Sequence, residues 1–96
     1  MTKKKLTWDQ KDDRRRARDW AKHMLSAVDS AKSAWADAEQ WHRFEVGAFR
    51  HDPELVLEAQ DRARRSREVS DKYVGLAVTN ARHAFRLAAR SLEVSE

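Results

Sequence analysis

The chain has 96 residues, 38% of them charged, with only two glycines, one proline and no cysteine. So few turn-formers exclude a sandwich or barrel, which needs punctuation about every 8 to 12 residues, and the missing thiols exclude disulfides, thiolate zinc and cysteine nucleophiles. The net charge of +4 is unevenly laid: residues 1–24 carry nine basic against four acidic side chains, residues 25–61 three against eight, and residues 62–96 eight against four.

In chain order, residues 1–6 are a basic tail holding Lys3, Lys4 and Lys5. Thr7-Trp8-Asp9-Gln10 then reads as a capping box, with Thr at the N-cap and Gln at N3. The spacing predicts a first helix over 7–48, its small and apolar residues recurring at Ala17, Trp20/Ala21, Met24, Ala27/Val28, Ala31, Ala34/Trp35, Ala38, Trp41/His42 and Ala48/Phe49. Gly47 is the first breaker, and residues 49–52 form the expected turn. Asp52-Pro53-Glu54 begins a second helix over 53–93, because Asp accepts a first-turn amide and proline at N1 loses no hydrogen bond. Its stripe runs Val56, Ala59, Ala63, Ser66, Ser70, Tyr73/Val74, Ala77, Ala81, Ala84, Leu87/Ala88, Leu92.

Two long helices on so short a connection fold back on each other, so the expected fold is all-α, a single helical-hairpin domain with its helices antiparallel. Alanine and serine in the stripe permit close approach, with Trp20, Trp35 and Trp41 draped over the partner helix. Phe44, Val46 and Phe49 with Leu55 to Leu57 are expected to close the turn end. The apolar set is too wide for one neighbour. Trp20, Met24, Leu25, Val28, Val69, Leu76, Val78 and Phe85 therefore form the expected oligomer or partner interface, giving a dimeric four-helix bundle or a heteromeric complex. Gly75 marks either close contact with that neighbour or an ordinary exposed position.

Much of the charge reads as helix support through i,i+4 pairs: Asp12–Arg16, Glu39–Arg43, Glu58–Arg62, Asp61–Arg65 and Glu68–Lys72. Two ladders do not. Arg14-Arg18-Lys22 and Arg82-Arg86-Arg90 stack like charges, each step opposing the helix by about 0.2–0.5 kcal/mol. Asp13 and Asp19 are candidates to neutralise them from across the hairpin or from another subunit. Left uncompensated, the ladders and Lys3 to Lys5 form a basic open end that waits for an anionic macromolecule. Arginine on a rigid helix makes bidentate phosphate contacts, so nucleic-acid phosphates come first, without base-specific readout because no reading motif occurs. Trp8 is placed to stack on an exposed base. The alternative is a small adaptor or inhibitor of the phage or mobile-element type, acting through the apolar stripe with Trp20 and Phe85, its charges steering encounter.

Glu39-Gln40-Trp41-His42 has the Glu-x-x-His spacing of ferritin-like carboxylate bundles, which it resembles on that motif alone, and Glu45 is a better inward companion for His42. Arg62 can also neutralise Glu45 across the hairpin. Glu39, His42 and Glu45 are thus the low-ranked metal candidates, and no cofactor is expected. His23 and His83 are expected at one level of the open end. In architecture the chain is similar to the Rop-type hairpins, dimeric four-helix bundles that bind RNA through one helical face. It is similar in shape also to the small type VII secreted proteins, although Trp41-His42-Arg43 lacks their Trp-x-Gly glycine. No nucleophile elbow, Gly-rich loop or paired carboxylate supports catalysis, and no small-molecule substrate is indicated. No apolar run suits a membrane span or a signal peptide, so a cytoplasmic chain is expected.

Overall fold

The structure, a computed structural model, describes residues 6–92; Lys3, Lys4 and Lys5 lie outside the described residues. Two helices account for nearly all of it: α1, Trp8–Val46, and α2, Pro53–Leu92. Both starts are the caps that the sequence predicts. The Thr7 amide donates to Gln10 Oε1 at 2.9 Å while Thr7 Oγ1 accepts from the Gln10 amide at 3.2 Å, closing the box. Asp52 Oδ1 accepts from the amides of Glu54 and Leu55 at 3.1 and 3.2 Å, with Pro53 at the first helical position.

The first helix ends at Val46 rather than 48, and the turn takes residues 47–52. The Gly47 amide still reaches the Arg43 carbonyl at 2.9 Å, and the Phe49 amide then skips back to Phe44 at 2.8 Å. Gly47 has no positive φ; its service is close approach, since a Cβ there would lie 2.8 Å from the Arg43 carbonyl oxygen. Gly75 is the other case, with nothing within 4 Å of where a Cβ would stand, so within this chain it marks no close contact.

The hairpin divides into two compact units, residues 27–75 at the turn and residues up to 26 with those from 76 onward at the open end. In the turn unit the core is alanine: Ala27, Ala31, Ala34, Ala38, Ala59 and Ala63 are buried. The approach is close enough for Ser70 Oγ to donate to the Ala31 carbonyl of the opposite helix at 3.0 Å. Phe44 stacks on Phe49 at 5.1 Å, and Arg62 lies over the Trp41 ring at 4.9 Å. Val46 and Leu57, expected in the turn cluster, are 58% and 65% exposed, because helical spacing sets them off the columns of buried Ala38 and Ala59. Trp35 also departs from expectation. It is half exposed and donates its indole N–H to Glu39 Oε1 at 3.0 Å rather than lying on α2.

In the open-end unit Ala17, Ala77 and Leu87 are buried together with the polar Asp13, Asn80 and Ser91. The stripe keeps a seven-residue step (77, 84, 91 and 80, 87), so Asn80 and Ser91 take the inner places expected for Ala81 and Leu92. Burial is tolerable because Ser91 Oγ donates to the Ala88 carbonyl at 2.7 Å and Asp13 pairs with Arg90 at 3.4 Å. Among the described residues no helix is long and apolar enough to cross a membrane.

Candidate functional site

Three of the four described acidic residues of the open-end unit are held in ion pairs. Asp12 and Asp19 both turn to Arg15, at 2.8 and 3.5 Å, and the hydrogen bond that Arg15 donates to Asp12 raises the guanidinium's pKa. Asp13, buried, takes Arg90 from across the hairpin. The expected Asp12–Arg16 pair is therefore replaced by Asp12–Arg15, and Asp13 does neutralise one rung of the second ladder. Arg14, Arg18, Lys22, Arg82 and Arg86 close no ion pair with any described carboxylate.

Four of them, Arg14, Arg18, Arg82 and Arg86, line grooves of this unit. Arg14 and Arg18 of α1 line a groove with Ala88 and Leu92 of α2, which fixes the side of the hairpin they occupy. A second groove runs along Val78, Ala81, Phe85 and Ala89 of α2 and is lined also by Arg82, Arg86 and Arg90, the last of which is the partner of Asp13. Val78, Ala81, Phe85, Ala88 and Leu92 follow a 3–4 spacing one column over from the buried stripe, a second seam facing solvent. Phe85 is 77% exposed and Leu92 69%. Ala21 and Leu25 continue the apolar strip on α1 by the same spacing, beside Arg18 and Lys22. No acidic residue occurs from Leu76 to Leu92. That absence was readable from the sequence, and it is the signal that would have drawn Ala81, Ala88 and Leu92 into the site.

The other expected interface residues scatter. Trp20 is half-buried, stacked on His83 at 4.6 Å with His23 against its edge at 5.9 Å, so the two histidines share a level by flanking one indole. Met24 is half-buried; Leu76 lies on the side of α2 away from Phe85. In the turn unit Val28 is half-buried and Val69 exposed. Trp8 is 76% exposed in the first turn of α1.

In the turn unit, several polar side chains pair with one another. Glu58–Arg62 and Asp61–Arg65 form as expected, at 3.1 and 3.0 Å, whereas Glu39 takes Trp35 instead of Arg43 and Glu68–Lys72 does not close. Glu45 accepts from Gln60 Nε2 at 2.7 Å and approaches His42 Nδ1 at 3.4 Å; Arg62 goes to Glu58 and Trp41, not to Glu45. The Gln60 hydrogen bond holds the Glu45 carboxyl below the usual range, against partial burial and with help from His42. Glu39 and His42 thus serve different partners. Among the described residues no group of three or more His, Asp or Glu is placed to hold a metal ion.

No protein-family model, curated protein or solved structure matches this chain.

Proposed function

We propose that the protein is a non-enzymatic binding module whose working surface is the cationic face of the open-end unit, and that its partner is an anionic macromolecule. One observation supports this above the rest: Arg14, Arg18, Arg82 and Arg86 line grooves with apolar side chains and close no ion pair with a described carboxylate, while Asp12 and Asp19 are held by Arg15 and Asp13 by Arg90. Each like-charge step in the ladders works against the helix by about 0.2–0.5 kcal/mol. A sequence that keeps such steps without local compensation gains from them only when an anion arrives.

The test uses two polyanions of unlike chemistry, a 20-nucleotide single strand and polyglutamate. Arg82→Glu with Arg86→Glu should weaken whichever binds by about tenfold or more at low salt and lower its salt slope by about two. Lys32→Glu with Lys72→Glu, two exposed cations of the turn unit, should change little. Because Arg86 stands between Arg82 and Arg90, Arg86→Glu alone should raise helix stability by a few tenths of a kcal/mol, on the order expected for i,i+4 pairs, while binding falls. Equal loss from both double variants, or no binding to either polyanion at low salt, removes this reading.

A further inference from the structure

We infer that the occupant of this face is an acidic amphipathic α-helix of a partner protein, laid along α2 to complete a three-helix arrangement; the inference rests on the anionic-partner reading above. Charge alone would suit a phosphate backbone equally well, so the floor between the charges decides. Val78, Ala81, Phe85, Ala88 and Leu92 repeat every three or four residues over 14 positions, about 21 Å at 1.5 Å per residue. Such a seam of knobs and holes fits another helix of about four turns, whose own apolar residues step at the same interval. A nucleic-acid strand would use the arginines and stack on Phe85, but it would leave Val78 and Leu92 in water.

The borders set the partner's charge. Arg14 and Arg18 line the groove with Ala88 and Leu92, and Arg82 and Arg86 line the groove with Val78, Ala81 and Phe85. A docked helix therefore meets cations in both grooves, and its complementary flanks are Asp and Glu. A second copy of this chain does not qualify: a two-fold axis through this face sets arginine ladders against arginine ladders, a repulsion that selects against self-pairing there. Nothing on the face needs rearrangement to admit a helix, since Phe85 and Leu92 already project into solvent.

The probe is a 21-residue peptide with leucine at heptad positions a and d and glutamate at e and g, a charge pattern that keeps it from pairing with itself. It is titrated against the full chain, in parallel with a 20-nucleotide single strand and with vesicles containing an anionic phospholipid. The expected result is peptide binding accompanied by a gain of helix in circular dichroism. Val78→Ser with Leu92→Ser should weaken it about tenfold or more, as should leucine-to-alanine changes in the peptide with every glutamate kept. Both substituted positions are already solvent-facing, and an unchanged thermal melt would show that the hairpin persists. Should the alanine peptide bind as well as the leucine peptide, or the oligonucleotide or vesicles bind more tightly without regard to Val78 and Leu92, the helix assignment falls while the anionic-partner reading stands. Failure of all three probes at low salt takes both down.

Discussion

Residues 27–75 hold eight basic and ten acidic side chains, while residues 6–26 with 76–92 hold nine and four. The imbalance matters less than where the carboxylates point. In the turn unit Asp61 takes Arg64 and Arg65, Glu58 takes Arg62, Glu39 takes an indole, and Glu45 takes Gln60 and His42. Around these contacts the backbones are fitted by alanines, a serine that bonds the opposite main chain, and a glycine at the turn. In the open-end unit one arginine engages two of the four aspartates and Arg90 a third, while Arg14, Arg18, Lys22, Arg82 and Arg86 close no ion pair with a described carboxylate. The turn unit combines a closer steric fit with several cation–carboxylate pairs, whereas on the cationic face of the open-end unit Arg14, Arg18, Arg82 and Arg86 close none with a described carboxylate.

The sharpest way to break that comparison is to crowd the seam at both ends. Ala59 is wholly inaccessible, against 8% exposure at Ala17. Ala59→Leu should cost about 1–3 kcal/mol by overpacking, and Ala17→Leu distinctly less, read as urea midpoints at unchanged m-value. A larger loss at Ala17 would mean that the open end is the tightly fitted one.

Glycine gives a smaller effect with a sign. Gly75→Ala places its methyl in open space and should stabilise α2 by about 0.5–1 kcal/mol. Gly47→Ala must displace a methyl from a backbone carbonyl, so any gain in the unfolded state is outweighed and the variant melts lower. Thermal melts of the two variants should move in opposite directions. If both rise, the tight approach at residue 47 is not what ends α1.

The helix starts were legible because capping chemistry is local: Thr7 with Gln10 and Asp52 with Pro53 specify their own hydrogen bonds. Alanine at the interhelical seam was legible from its spacing. What escaped was the choice between neighbouring columns, since Ala81 and Asn80 differ by one helical position and polarity favours the wrong one. Asn80 goes inside because a strict seven-residue step carries residues 77, 80, 84, 87 and 91 inward together. Ion pairs escaped for a related reason. Arg15 can reach i−3 and i+4 at once, and spacing rules do not say which arginine will collect which aspartate. The basic ladders themselves were visible in the sequence, but the apolar seam between them required knowing on which side α1 lies.

The mildest effect concerns acid. Glu45 carries a folded pKa lowered chiefly by the Gln60 hydrogen bond, so its contribution to stability is fully present above the unfolded carboxylate value and is lost as pH falls through the lowered folded value. Gln60→Ala removes the largest cause and should shrink the difference between neutral and acid stability; Glu45→Gln should abolish this group's share of it. The measurement is a series of thermal melts from neutral pH downward, in which parent and Glu45→Gln curves converge at the acid end. Arg15 offers the contrasting case. Its pKa is raised by Asp12, yet an arginine titrates too high for that shift to alter stability near neutrality. Curves that run parallel at all pH values would mean that Glu45 and Gln60 do not hold each other in solution. Closure of the turn unit would then rest on its alanines alone.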